Sequence, residues 1–223
     1  MKLMRLAPIV FGLVLIPFTA SAVDILMPGR SGLVRYGEQS GVLKSQKSIS
    51  KPLKGTSFPF PTPGGPDDPR IVGGTYRRCI IGQAGPCDKI PLNAGQWVGL
   101  GKPAGVKGYK YKGLGIPADP CTSVVIKRNV VRAICKGDGG IDDDFVLPVA
   151  PASVGDELIL GSMRYCNKFD PPYKKDGGTK QIWKAKVKKH LVAPPVVCPD
   201  LDPAPPYGSA SKAFLRSTAS LLQ

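Results

Sequence analysis

The sequence predicts an all-β fold, a β-sandwich or β-barrel of short antiparallel strands stapled by disulfides. Gly (27) and Pro (24) together supply 51 of 223 residues. That is about twice the roughly 12% of average usage, and it leaves little room for long helices or coiled coils. Short β-prone runs recur between turn signals through the middle of the chain. All six cysteines fall within the same stretch, from Cys79 to Cys198. Basic residues outnumber acidic ones 31 to 16, a formal charge of +15, yet 42% of the chain is apolar. That apolar share excludes a wholly disordered basic chain.

The first element is not part of the fold. Lys2 and Arg5 precede an apolar stretch from Ile9 to Phe18, and Ala20-Ser21-Ala22 supplies the small-x-small pattern that signal peptidase reads. A bilayer-spanning helix needs about 20 apolar residues, and this run stops near half that. Residues 1–22 therefore read as a cleaved secretory signal, with the mature chain starting at Val23. No cysteine lies near the cleavage point to carry a lipid. The expected location is the periplasm or the cell exterior, with no membrane span in the mature form.

An oxidising compartment pairs thiols. Six cysteines allow 15 pairings, and spacing alone does not choose among them. Two β-prone runs, 122–126 and 130–134, flank the polar turn Lys127-Arg128-Asn129 and bring Cys121 opposite Cys135 across a hairpin. Cys79 with Cys87 would then close a short loop, and Cys166 with Cys198 would tie a late strand to the end of the domain. Each bridge is worth about 2 to 4 kcal/mol. Zinc is not expected, because the chain has no CxxC spacing and only His190 as a histidine.

From Val23 to about Lys54 the chain is weakly apolar and reads as edge strands or a loose arm. Residues 55–70 carry Pro59, Pro61, Pro63, Pro66 and Pro69 with Gly64-Gly65, which excludes helix and predicts an extended crossing or linker. Strands are then expected at Ile71 to Ile81, Trp97 to Leu100, Gly108 to Lys112, Cys121 to Cys135, Phe145 to Leu147, Glu157 to Cys166 and Gln181 to Lys188. Seven or more short strands suit a sandwich or barrel. The folded module ends near Pro199. In the tail, 200–223, Ser209 to Gln223 reads as a short helix with Phe214, Leu215, Leu221 and Leu222 apolar.

Two strands carry an alternation that bears on function. In 182–188, Trp183, Ala185 and Val187 take one face and Lys184, Lys186 and Lys188 the other. In 109–112, Tyr109 and Tyr111 share a face opposite Lys110 and Lys112. Such faces attract polyanions. Lysine on exposed strands also serves solubility and blocks edge-to-edge pairing.

Most catalytic chemistry fails on the residues. Arg70-Ile71-Val72-Gly73-Gly74 looks like the activation junction of trypsin-like proteases, but the sole histidine comes late and Gly137-Asp138-Gly139-Gly140 has no nucleophilic serine. A Gly-Gly turn after a strand explains it better. Asp138, Asp142, Asp143 and Asp144 sit in a Gly-rich loop that suits a weak Ca²⁺ site or a solvated turn, without EF-hand spacing or a closing glutamate. Asp156 and Glu157 are adjacent, so in a strand they face opposite ways and cannot act as a pair. Trp97 and Trp183 read as core before they read as sugar platforms.

Pro61-Thr62-Pro63-Gly64-Gly65-Pro66-Asp67-Asp68-Pro69, then Gly73-Gly74-Thr75, Trp97, Gly108-Tyr109-Lys110-Tyr111-Lys112, Pro120-Cys121, Ala133-Ile134-Cys135-Lys136-Gly137, Arg164-Tyr165-Cys166, Phe169, Lys184-Ala185-Lys186 and Cys198-Pro199 resemble a recurrent, uncharacterised module of secreted bacterial proteins. The resemblance spans about 28–199 and departs at Asp170-Pro171-Pro172, where a Gly-Gly turn would follow the phenylalanine. It implies a β-rich extracytoplasmic module with no catalytic residues to carry over, and it places 28–54 inside that module.

The expected function is a secreted, non-enzymatic binding or structural module that needs no metal or cofactor. Its basic strand faces would attract anionic polysaccharide or envelope polymers, without specific nucleic-acid recognition. The rivals are a glycan- or ester-hydrolysing enzyme whose active site the sequence does not locate, and a structural partner in an envelope assembly with an exposed apolar patch.

Overall fold

A computed structural model describes residues 22–36, 43–81, 88–136, 153–170, 194–195 and 197–198. Among the described residues, eleven strands form two sheets in a sandwich-like arrangement with almost no helix. The first sheet contains β1 (Val23–Leu26), β4 (Gly74–Ile80), β5 (Asp88–Leu92), β10 (Val154–Leu160) and β11 (Met163–Phe169), in the order β1-β11-β10-β4-β5. The second contains β2 (Gly29–Tyr36), β3 (Leu43–Ser50), β6 (Trp97–Gly99), β7 (Tyr109–Tyr111), β8 (Cys121–Lys127) and β9 (Val130–Lys136), in the order β2-β3-β9-β8-β7-β6.

Alternation explains most of the core. Ile25, Tyr76, Ile90, Leu92, Leu158, Leu160 and Tyr165 from the first sheet are buried with Trp97, Tyr109, Tyr111, Val124, Ile126, Val131 and Ala133 from the second. Trp97 stacks edge-on against Tyr111 with ring centroids 5.3 Å apart, so it is core. Phe169 of β11 reaches across to β2, where a Cβ on Gly29 would come within 2.7 Å of its ring. Glycine at that position lets the sheets close.

Polar residues also cross the interior. Arg78 of β4 forms an ion pair with Asp156 of β10, and its guanidinium donates to the Leu33 and Lys47 carbonyls of the opposite sheet. Asn167 of β11 donates to the Ser48 and Ser50 hydroxyls at 3.1 and 2.8 Å. Gln46, Ser48 and Ser50 are therefore the buried face of β3. A polar seam beside the apolar core ties one sheet to the other.

Several expectations change here. Of the two readings for 23–54, the described residues take the edge-strand one in β1 and β2, while β3 is interior, paired with β2 and β9. The strands are not all antiparallel, since β1 runs parallel to β11; its chain crosses directly into the other sheet through Met27-Pro28. The segment 157–166 is not one strand but the end of β10, a turn at Gly161-Ser162 and the start of β11.

The largest correction concerns 55–72. Pro69–Val72 form a single helical turn, α1, with Asp68 as N-cap and Gly73 as C-cap. Proline is no obstacle at a first helical position, where its missing N–H has no intrahelical partner to lose. Ile71 and Val72 are thus exposed on a turn, and β4 begins only at Gly74. Nor is the crossing a free linker: Phe58, Pro61, Asp68 and Pro69 are buried. The Phe58 amide donates to the Arg128 carbonyl at 2.8 Å, and the Tyr165 hydroxyl donates to the Pro59 carbonyl at 3.0 Å.

Disulfides join Cys121 to Cys135 across the β8–β9 hairpin and Cys166 to Cys198. Cys79 is disulfide-bonded as well; its expected partner Cys87 lies outside the described residues. So do the expected strands at 145–147 and 181–188 and the helix at 209–223. Among the described residues no helix is long and apolar enough to cross a membrane.

Candidate functional site

Charge is distributed unequally between the sheets. In the first sheet, Arg77 and Arg164 both pair with Glu157, Arg78 pairs with Asp156, and Arg164 also holds Asp24. The six strands of the second sheet contain Arg30, Arg35, Lys44, Lys47, Lys110, Lys127, Arg132 and Lys136 and not one Asp or Glu. No ion pair neutralises Lys47, Lys110, Lys127, Arg132 or Lys136 among the described residues.

Register places most of these cations on one surface. Because Val124 and Ile126 of β8, Val131 and Ala133 of β9, Tyr109 and Tyr111 of β7 and Ser48 and Ser50 of β3 point inward, the intervening residues point away from the core. Strand pairing then aligns Val98, Lys110, Val125, Arg132 and Ile49 in one row across five strands. Lys47, Ile134 and Ser123 form the next row, and Lys136 lies beyond it opposite Ser45. Lys110 and Arg132 are two strands apart, about 10 Å at ordinary strand spacing. Val125 between them is only 7% exposed. This geometry fits the apolar stems of long cations lying over neighbouring side chains while their charged heads reach outward. Arg132 Nε is buried without a hydrogen-bond partner among the described residues.

Of the lysines expected to bind polyanions, Lys110 sits in the central row, half-buried at its base. Lys112 lies one residue past β7 and is exposed; its amide donates to the Gln96 carbonyl at 3.0 Å. Lys184, Lys186 and Lys188 lie outside the described residues, as do His190, Trp183, and Asp138 and Asp142 to Asp144. Sequence reasoning missed Lys47, Arg132 and Lys136. The signal for two of them was present: in 130–136, Val131, Ala133 and Cys135 alternate with Val130, Arg132, Ile134 and Lys136. For Lys47 it was hidden, because the buried face of β3 is Gln46, Ser48 and Ser50 and does not read as core.

The carboxylates are elsewhere and occupied. Asp156 faces the interior, accepting from Tyr76 at 3.1 Å and from Arg78 Nη2 at 2.9 Å. Glu157 faces the opposite way, toward Arg77 and Arg164. At the sandwich end, Asp68 accepts from the Gly64 amide and the Arg70 side chain, and the Arg70 guanidinium lies 5.5 Å from the Tyr109 ring centroid. Burial opposes the Asp68 anion, but the Arg70 hydrogen bonds and the Gly64 and Arg70 amides prevail and bring its pKa down to about 2. Burial, with Asp68 adding to it, pushes the Tyr109 hydroxyl up to about 12. These groups hold the crossing in place. Among the described residues no three His, Cys, Asp or Glu side chains form a metal-holding group.

No family model, curated protein or solved structure matches this chain.

Proposed function

We propose that this protein is a secreted, non-enzymatic binding module that holds an anionic polymer against the outer face of its six-stranded sheet. The observation that carries the reading is the cross-strand row containing Lys110 and Arg132, with Lys47 and Lys136 beyond it, on a sheet whose strands have no carboxylate. A face of cations with apolar residues between them matches an extended chain of repeating negative charge, and attraction at such a face needs no pocket. The paired disulfides and the N-terminal pattern support an oxidising, extracytoplasmic location. For the hydrolase reading, the two buried carboxylates of β10 offer no support, since each is committed to arginine.

The test is retention of the mature protein on immobilised heparin and polygalacturonate, with dextran as the uncharged control, under a salt gradient. Wild-type protein should be retained on both acidic polymers and elute as salt rises. The Lys110→Gln/Arg132→Gln variant should elute earlier. Lys54→Gln/Lys102→Gln, which removes the same charge from exposed loops, should change elution little. Equal effects of the two pairs, or no retention of the wild type, would end the reading.

A further inference from the structure

The basic face does not stop at the strand ends. Lys127 closes β8, and Arg128, next in the turn of the β8–β9 hairpin, stands over the Phe60 ring with its guanidinium carbon 5.7 Å from the centroid. Arg128 has no carboxylate partner among the described residues. Beside it the 57–63 crossing and Val106 enclose an open groove of about 500 Å³. The groove is held in shape from two sides, by the Phe58 amide on the Arg128 carbonyl and by the Tyr165 hydroxyl on the Pro59 carbonyl.

The chemistry of its wall is selective. Pro59, Pro61 and Pro63 have no N–H, so this stretch lacks the donor row that a peptide strand would need for pairing. Arg128 stands beside the Phe60 ring, so a charged donor and an aromatic surface lie together in the groove. What remains is a set of saturated and aromatic rings, the exposed Ser57 and Thr62 with their hydroxyls, and one guanidinium. A pyranose fits that set: its C–H face packs on rings, its hydroxyls exchange hydrogen bonds with hydroxyls, and a ring carboxylate takes the guanidinium in a charge-assisted pair.

Building on the polymer-binding reading, we propose that this groove is a subsite for a uronate-bearing stretch of the glycan, so that the sheet face reads charge and the groove reads sugar. The experiment uses the mature protein and trigalacturonate, a ligand too short to cover the sheet face, followed by amide chemical shifts and by calorimetry. Shifts should concentrate at Phe58, Phe60, Thr62, Val106 and Arg128. Affinity should fall about tenfold or more in Arg128→Gln, consistent with loss of a hydrogen bond between charged groups. In Val106→Trp, which fills the groove from a position 39% exposed, binding should be lost. It should change less than twofold in Lys110→Gln/Arg132→Gln.

Unchanged affinity in Val106→Trp, equal affinity for the trimethyl ester, or tighter binding of triglutamate would overturn the proposal. Two failures separate cleanly. If trigalacturonate does not bind but polygalacturonate is still retained through Lys110 and Arg132, the groove assignment falls and the face stands. If trigalacturonate binds in the groove and retention ignores Lys110 and Arg132, the groove stands and the face falls.

Discussion

Asp156 shows how much one residue holds. It is 2% exposed and binds Arg78, which is 1% exposed and spans the two sheets. Removing one partner from such a pair leaves an uncompensated charge where water cannot reach it. Asp156→Asn should therefore lower unfolding free energy by about 3 to 5 kcal/mol in urea titrations. A paired Arg78→Leu/Asp156→Leu change should cost clearly less than the sum of the single changes. Asp68 makes the corresponding argument for pH. Its folded pKa of about 2 lies below the ordinary 3.8, so its stabilisation is complete above 3.8 and is lost as pH falls through about 2. That loss is about 2 kcal/mol. Acid titration of stability should show it in the wild type and not in Asp68→Asn, whose stability should vary less across that window.

At the scale of elements, the β8–β9 hairpin was the most legible part of the chain. Two β-prone runs, a polar three-residue turn and a cysteine at each outer end are local signals, and the structure pairs Cys121 with Cys135 as expected. The bridge closes a 14-residue separation, for which chain entropy gives about 3 kcal/mol. Cys121→Ala/Cys135→Ala should lose about that much stability, measured by thermal or denaturant unfolding, and should leave the other bridges formed in peptide maps. The crossing was the least legible element. Its prolines read as an extended path without helix, yet α1 begins on Pro69, and nothing local shows that Phe58 and Pro61 are buried. The path through Phe58 and Pro59 depends on Arg128 and Tyr165, which lie far away in sequence and supply its hydrogen bonds, whereas the Asp68 cap is local, held by Gly64 and Arg70.

For the whole molecule, the important property is the separation of charge. One sheet spends its arginines on carboxylates, and the other carries cations alone. At an anionic surface each Lys or Arg is worth about 1 kcal/mol, so each glutamine substitution in the Lys110–Arg132 row should weaken polymer binding about fivefold at low salt, and less as screening grows. Lys112 belongs to the same chain segment as Lys110 but lies beyond the strand, and its substitution serves as a measure of how sharply the row is defined. The groove at Arg128 lies at the β8–β9 turn, at the end of this face, so the proposed sugar subsite would adjoin the proposed charge-binding row.

By itself the sequence determined what depends on neighbours in the chain. Gly and Pro content with recurring β-prone runs made β the class; period-2 patterning put Tyr109 and Tyr111 on the face opposite Lys110 and separated Asp156 from Glu157; turn residues and cysteine placement paired one hairpin. Only tertiary structure decided what depends on strand order. Lys47, Lys110 and Arg132 come from β3, β7 and β9, separated by as many as 85 positions between Lys47 and Arg132, and no local pattern states that β3 lies beside β9 or that β1 runs parallel to β11. The same holds for Arg78, whose charge can be buried only because Asp156 and two carbonyls of the opposite sheet are waiting for it. Hydrophobic alternation specifies which face of a strand is covered, whereas the partner that covers it is set by the packing of the entire chain.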